Sequence, residues 1–324
     1  MDQETVNRES FQFLSKDGRT KIHAVKWLPK DGIVRAVLQI THGMVEYIER
    51  YEELACYMAG RGFLVAGHDH LGHGASVTNE SEWGYFAEKR PSETVVADIY
   101  QLTTIIKNQY PGCPYFILGH SMGSFLLRRY LTIHSGAVDG ALLCGTGSQP
   151  KIATFLGMAV CRLMGLLHGG HYRSAFVTGL CFGKPYAEFD KTGEDIKRSW
   201  LSKNRDSVQA YYEDPRCTFV FTLNGYYGLF STIHYVSQMK QIRKIRKNLP
   251  VLFLAGEDDP VGDFGKGVKK AYAQYRQAGI RDVKMKLYSN DRHEILQETD
   301  RKQVFKDVYE WCEKHGTNTE RGVL

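Results

Sequence analysis

Short apolar runs alternate with amphipathic stretches along most of the chain, and this alternation predicts strands between helices. The start differs, because residues 11–27 predict two strands joined at Lys16-Asp17-Gly18-Arg19, where Asp-Gly supplies the backbone angles of a tight hairpin. The other predicted strands are residues 36–40, 63–66, 115–118, 141–144, 250–254 and 283–288. Apolar strands between amphipathic helices require a sheet covered on both faces, so we expect an α/β fold with an eight-stranded, mostly parallel sheet flanked by helices.

This alternation stops near residue 149 and resumes at residue 250. We therefore predict a core formed by residues 1–149 and 237–324, with residues 150–236 inserted as a helical lid. Such a lid would lie above the carboxyl edge of the sheet, where open α/β sheets bind ligands. A separate helical domain with its own core stays open as an alternative.

The first part of the predicted lid carries an apolar stripe. Apolar residues between positions 152 and 167 recur at helical spacing, and Phe155 and Leu163 belong to that stripe. We expect both side chains to line an acyl pocket, and the stripe to touch membrane surfaces transiently. The alternative is a helix whose stripe packs into a core.

Composition and charge exclude several classes of protein. The 324 residues are 43% hydrophobic and 24% charged, as in ordinary globular proteins, and the net charge of +6 is dispersed, so no nucleic-acid partner is expected. Seven widely spaced cysteines include no C-x-x-C pair, which indicates a reducing compartment without disulfides or a zinc site. Residues 152–167 are too short for a membrane span and the first residues lack a signal pattern, so a soluble, cytoplasmic protein is expected. The oligomeric state stays open.

A candidate nucleophile lies in Gly119-His120-Ser121-Met122-Gly123, between a predicted buried strand and a predicted helix. In this G-x-S-x-G pattern the serine occupies a strained turn, and side chains two positions away would collide with it. The turn exposes the hydroxyl and directs the helix N-terminus toward developing negative charge. The pattern predicts nucleophilic catalysis by Ser121.

A serine nucleophile needs a base and a third group that orients the base, in the chain order Ser, acid, His for this kind of turn. Asp258 and Asp259 follow the strand at 250–254, and either could be the acid. His293 follows the last predicted strand and is the expected base. The backbone N–H groups of Met44 and Met122 are expected to form the oxyanion hole.

The chain resembles the α/β hydrolases of the monoacylglycerol lipase and bacterial lysophospholipase type. The resemblance rests on the segments His42-Gly43-Met44-Val45-Glu46 with Arg50-Tyr51, Gly67 to Ser76, Gly119 to Gly123, Gly256-x-x-Asp259-Pro260 and His293-Glu294. It implies the α/β-hydrolase fold, a serine hydrolase acting on acyl lipid esters without a cofactor, and Asp259 as the acid.

The resemblance also bears on the substrate. In monoacylglycerol lipases, the residues matching Glu46 and Arg50 help to hold the glycerol head group, so these two are implied substrate-binding residues. Leu296 replaces the second histidine of those lipases, and His293-Glu294-Ile295-Leu296 looks more like the lysophospholipase branch. An aryl or small-acyl esterase, a thioesterase and an aminopeptidase stay open, the last requiring a carboxylate such as Glu188 or Glu213 for a free amine.

Two readings from other classes compete with a serine hydrolase. His68, His70 and His73 have the spacing of a metallohydrolase site, although Gly72 stands where such a site needs an aspartate. The resemblance implies a packed turn there instead, and we expect no metal. A non-catalytic binding protein of the same fold would normally have lost a member of the Ser-His-Asp set, which is complete here.

Overall fold

The computed structural model describes residues 6–196 and 198–317. Within them, eight strands run in chain order as β1 (Val6–Leu14), β2 (Lys21–Pro29), β3 (Ala36–Thr41), β4 (Phe63–His68), β5 (Tyr115–His120), β6 (Gly140–Cys144), β7 (Val251–Gly256) and β8 (Val283–Tyr288). They form one sheet in the order β1-β2-β4-β3-β5-β6-β7-β8. Only the β1–β2 and β2–β4 pairs of this sheet are antiparallel. The sheet confirms the predicted fold class.

The predicted hairpin joins β1 to β2. Gly18 has φ +80°, and the Asp17 carboxylate accepts the backbone N–H groups of Arg19 and Thr20, both at 2.8 Å. Both strands are longer than the sequence pattern indicated. β1 extends along the edge of the sheet, where one face meets solvent and polar residues are tolerated.

Helices cover both faces of the sheet. They are α1 (Glu52–Ala59), α2 (Pro91–Gln109), α3 (Met122–His134), α10 (Lys266–Gln277) and α11 (Arg301–Thr317). The apolar sides of α2, α3 and α10 pack in one core cluster, and those of α1 and α11 in the other. Strands β3 to β7 lie between these layers and are buried along their whole length.

Between β6 and β7 the described residues contain helices and no strand. These helices are α4 (Lys151–His168), α5 (Ala175–Cys181), α6 (Lys184–Ala187), α7 (Arg205–Glu213), α8 (Leu223–Val236) and α9 (Met239–Ile242). α8 packs on α2 and α3 of the core and on α4, where a Cβ at Gly157 would press against the Phe230 ring. The division into a core and a lid at residues 150–236 stays a prediction.

α4 is more exposed and more apolar than a core helix. By length and composition alone, its 18 residues could cross a membrane, and 17% of them are buried. The expectation from the sequence that this stretch is too short for a span is therefore wrong. Length and composition do not distinguish a spanning helix from one that lies on a membrane surface.

Candidate active site

Ser121 lies on the sharp turn between β5 and α3, as the glycine spacing predicted. Its φ is 50°, in the left-handed region that L residues rarely occupy. A side chain on Gly119 would overlap the backbone of Gly123, and one on Gly123 would overlap the carbonyl oxygen of Thr41. Both glycines are therefore required for the turn that presents the serine hydroxyl.

The structure brings Ser121, His293 and Asp259 together. Ser121 Oγ lies 2.8 Å from Nε2 of His293, and Nδ1 of the same ring lies 3.0 Å from Asp259 Oδ1. Asp259 is fully buried and also accepts the Val261 N–H at 2.8 Å. Asp258 points away and pairs with Lys191 at 2.8 Å. This geometry fits a base that is hydrogen-bonded to a nucleophile and held in one orientation by a carboxylate.

Two backbone N–H groups are available beside the nucleophile. Met44 and Met122 both line the cavity next to Ser121, and neither N–H donates to a protein acceptor within the described residues. The loop before Met44 approaches closely, since a Cβ on Gly43 would lie 3.1 Å from Ser121 Cβ. Free N–H groups at this place can stabilise an oxyanion.

Glu46 and Arg50 belong to a buried polar network. Arg50 donates to Glu46 at 2.8 Å and to both carboxylate oxygens of Glu294 at 2.7 and 2.9 Å. Glu46 also accepts the Gly43 N–H, the Tyr51 hydroxyl and Nδ1 of His120. Both residues are therefore bonded to protein groups, and the head-group role implied by the resemblance stays a prediction.

The charges of this network depend on one another. Burial opposes the charged form of His120, but the hydrogen bond and the charge of Glu46 outweigh it and raise the pKa of His120. Burial likewise opposes the charged form of Glu46, but His120 and Arg50 hold the pKa of its carboxyl well below the usual range. Sequence reasoning missed Glu294, although its place directly after His293 was a usable signal. The network joins the loops that carry Ser121, His293 and Met44.

A cavity of about 810 Å³ opens beside Ser121 and His293. Apolar and aromatic side chains from the inserted helices form most of its wall, among them Leu156, Val160, Leu180, Phe182 and Phe230. A mostly apolar cavity with a few convergent polar groups is typical of a site for a small ligand.

The prediction that Phe155 and Leu163 line this cavity needs correction. Both lie on the outer face of α4, 59% and 63% exposed, and the inner face presents Leu156 and Val160 instead. The apolar residues of α4 extend around more of the helix than one stripe. Spacing alone therefore does not tell which of them faces the cavity.

The insertion also holds the loop that carries His293. The N–H of His293 donates to the carbonyl of Trp200 at 3.4 Å, and the N–H of Glu294 donates to that of Leu201 at 2.7 Å. Buried Arg292 donates to the Ser199 carbonyl at 2.9 Å and pairs with Asp195 at 2.6 Å. Sequence reasoning did not find these contacts, because backbone carbonyls carry no sequence signal.

His42, His68, His70 and His73 form a fully buried cluster, called the histidine cluster below. The rings of His68 and His70 touch, with Nε2 and Nδ1 3.1 Å apart, while Nδ1 of His73 contacts the Leu71 carbonyl at 3.0 Å. In residues 6–196 and 198–317 no three His, Cys, Asp or Glu side chains form a group that could hold a metal ion.

Neither acid considered for binding a free amine is placed for that role. Glu213 lies exposed at the end of α7 and accepts the side chain of Gln209 at 2.7 Å, and Glu188 is not among the residues that line the cavity. The two glutamates that do line it, Glu46 and Glu294, are both paired with Arg50.

Comparison with known proteins agrees with this geometry. A monoglyceride lipase homolog of Monkeypox virus is 28% identical over 86% of this chain and 89% of its own length. Human monoglyceride lipase is 27% identical over 88% of this chain and 84% of its own. The crystal structure of a thermostable carboxyl esterase from Bacillus coagulans, in complex with glycerol, matches with a TM-score of 0.87 and 28% identity, covering 95% of this chain and 98% of that one.

The family match covers most of the chain. The model of the serine aminopeptidase S33 family matches residues 32–300, which include the Ser121 turn, the Asp259 loop and the His293 loop. The sheet, the turn and the flanking helices agree with that match. The chain therefore belongs to the serine aminopeptidase S33 family of α/β hydrolases and is similar, within it, to the monoacylglycerol lipases.

Proposed function

We propose that this carboxylic ester hydrolase cleaves acyl lipids of the monoacylglycerol or lysophospholipid type through an acyl-enzyme on Ser121. The observation that carries the proposal is the 2.8 Å contact between Ser121 Oγ and His293 Nε2 at the base of an apolar cavity. A hydroxyl beside an oriented imidazole supplies the nucleophile, and the cavity supplies a place for the acyl chain.

In the first half of the reaction, Ser121 Oγ attacks the ester carbonyl carbon and its proton passes to His293 Nε2. The carbonyl oxygen becomes an oxyanion, to which the N–H groups of Met44 and Met122 donate. The bond to the alcohol oxygen then breaks as His293 returns the proton to that oxygen. The alcohol leaves and the acyl group stays on Ser121.

In the second half, a water molecule gives a proton to His293 and attacks the acyl carbon. The bond to Ser121 Oγ breaks, Oγ recovers the proton from His293, and the fatty acid leaves. Asp259 stays ionised throughout, because it stabilises the imidazolium and fixes its orientation without taking the proton.

The apolar wall favours a fatty acyl ester over the alternatives. Burying an acyl chain is favourable by about 0.8 kcal/mol per methylene. A small acyl or aryl group would fill little of the apolar cavity and would gain little of this free energy. An aminopeptidase would need an available carboxylate for the free amine, and both cavity glutamates are already paired with Arg50. These features support the lipid ester as substrate.

The outer face of α4 and α5 suits contact with a lipid surface. It exposes large apolar side chains, namely Ile152, Phe155, Leu163, Leu166, Leu167 and Phe176. Leu156 and Leu180 are also exposed and line the cavity, so the apolar face continues into the substrate site. We propose that this face rests transiently on membranes while the protein is otherwise cytoplasmic.

The test of the proposed function is hydrolysis of a monoacylglycerol by the wild type and by Ser121→Ala. We expect the variant to lose activity by about 10⁴-fold or more and to lose labelling by a fluorophosphonate, with an unchanged melting temperature. Combining it with His293→Ala should cause no further loss, because the two groups act as a unit. Wild-type labelling of the purified variant would contradict the proposal.

A further inference from the structure

Arg198 lies on the cavity wall and carries a positive charge there. Among the described residues that line the cavity, it is the only lysine or arginine, and it has no ion pair with any described residue. Its guanidinium lies over the Tyr212 ring, 5.4 Å from the ring centre. Its φ of 63° is in the left-handed region, where a non-glycine residue costs free energy and often marks a functional position.

The backbone around Arg198 is fixed against the catalytic loop. Arg198 directly precedes the turn Ser199–Leu201, whose carbonyls at Trp200 and Leu201 accept the N–H groups of His293 and Glu294. The Trp200 ring lies 5.3 Å from the His293 ring. Arg198 therefore lies on the same side of the cavity as His293.

That side is where the leaving alcohol must lie. In ester cleavage the imidazole gives its proton to the departing oxygen, so the alcohol end of the substrate faces the base and the acyl end lies elsewhere. Polar groups of the wall agree with this division, since Glu294 directly follows His293, and the charges of Arg198 and Glu294 both act on the Tyr212 hydroxyl.

The other charged groups on the wall are already paired with protein groups. Glu46 and Glu294 share Arg50 between them, and Glu46 also accepts from His120, whose pKa is raised by that contact. Arg198 has no such ion pair with any described residue, and it is exposed where it lines the cavity, so its guanidinium is available to an anionic group of the substrate.

We propose that Arg198 forms a subsite for a phosphate group on the leaving alcohol, so that a lysophospholipid with an anionic glycerol phosphate head is preferred over a neutral monoacylglycerol. This inference rests on the proposed function and narrows its substrate class. Arginine suits the role because its planar guanidinium donates two parallel hydrogen bonds to phosphate oxygens. Arg198 selects the substrate and takes no part in proton transfer.

The experiment compares two substrates with the same octanoyl chain, octanoylglycerol and octanoylglycerol phosphate, both kept below micelle-forming concentrations. We expect wild-type kcat/KM to be about tenfold higher for the phosphate ester, the size of one charge-assisted contact at a partly exposed site. Arg198→Gln should remove that preference by lowering kcat/KM for the phosphate ester much more than for the neutral ester, and Arg198→Lys should keep part of it. Higher salt should narrow the preference in the wild type and have little effect on Arg198→Gln.

Arg162 on α4 is the matched control, because it is an exposed arginine of the same insertion that does not line the cavity. Arg162→Gln should leave kcat/KM unchanged for both substrates. Equal cleavage of both esters by the wild type, or an unchanged preference in Arg198→Gln, would overturn the subsite and leave the ester hydrolase intact. Failure of the wild type on both esters, with Ser121 still labelled by a fluorophosphonate, would instead overturn the proposed function on which the subsite rests.

Discussion

At the scale of single residues, two adjacent aspartates lie in different surroundings, one buried and one near the surface. Asp259 is fully buried against the His293 ring, while Asp258 pairs with Lys191 near the surface. We expect Asp259→Asn to lower kcat by about 10⁴-fold, because an amide cannot hold the imidazole in its working tautomer. Asp258→Asn should change kcat by less than about twofold, since an exposed ion pair contributes little. Comparable losses in the two variants, measured on one ester, would refute the assignment.

Glu46 allows a second test at this scale, because it could either position the catalytic loops or bind the head group of the substrate. Its carboxylate accepts from Gly43, next to the oxyanion donor Met44, and from His120, next to Ser121. Glu46→Gln should therefore lower kcat by about one order of magnitude or more on every ester, including a nitrophenyl ester that has no glycerol. A rise in KM confined to glycerol esters would show head-group binding instead.

The control for Glu46 is Glu49→Gln, which changes a glutamate on the following turn. Glu49 pairs with Arg8 and Arg216 and does not line the cavity. We expect its kinetics to match the wild type, because pairs at this exposure add little. Melting curves for both variants separate a loss of stability from a loss of positioning.

At the scale of elements, α4 has two apolar faces with different neighbours. Val160 lines the cavity, whereas Leu163, one turn further along, faces solvent. Since each buried methylene adds about 0.8 kcal/mol, or nearly fourfold in affinity, kcat/KM should rise with acyl length until the cavity is full. Val160→Asn should flatten this rise and leave acetyl esters nearly unchanged, while Leu163→Asn should keep the wild-type profile. If only Leu163→Asn flattened the dependence on acyl length, the assignment of the inner and outer faces of α4 would be wrong.

Elements also show where sequence reasoning worked and where it could not. The strands β3 to β7 were predictable because their apolar runs are continuous, and the Ser121 turn because only glycine fits on both sides of the serine. The acid could not be chosen between two adjacent aspartates by spacing alone. The inner face of α4 was missed because apolar residues surround much of that helix, and the contact of Trp200 with the His293 loop because it uses a backbone carbonyl.

At the scale of the whole molecule, the exposed face of α4 and α5 predicts partition onto lipid. Leu163 and Leu166 are exposed and do not line the cavity, so changing both to aspartate removes apolar area outside the site. We expect the double variant to bind phosphatidylcholine vesicles at least about tenfold more weakly, because each leucine gains up to about 2 kcal/mol on burial. Hydrolysis of a monomeric short-chain ester should stay at the wild-type rate.

The matched control for lipid partition is Ile133→Asp, which removes an exposed apolar side chain from α3, outside the insertion. Its vesicle binding should equal that of the wild type, as measured by cosedimentation. Equal weakening by Ile133→Asp, or unchanged binding of the α4 variant, would contradict a membrane-facing role for this face.

The histidine cluster gives the fold a sensitivity to acid. Burial lowers the pKa of His68 to about 3 and of His73 to about 4, whereas an unfolded chain protonates its histidines near pH 6.5. Above that pH both states are neutral and the contribution to stability is complete. As the pH falls from about 6.5 toward 4, the unfolded chain takes up protons that the folded protein refuses, so each histidine costs about 1.4 kcal/mol of unfolding free energy per pH unit.

Buried carboxyls act in the opposite direction, because burial raises the pKa of Asp69 and of Asp98 to about 7 and favours the folded state at low pH. The contribution of a histidine to the pH dependence of stability is therefore measured by comparing the wild type with a variant that lacks that histidine. His68→Gln keeps a polar partner for His70 and cannot titrate, so its melting temperature should fall less steeply than that of the wild type between pH 6.5 and about 4. Parallel curves would mean that His68 is already charged in the folded protein. The packing that buries these imidazoles thus makes the stability of the fold depend on the acidity of its surroundings.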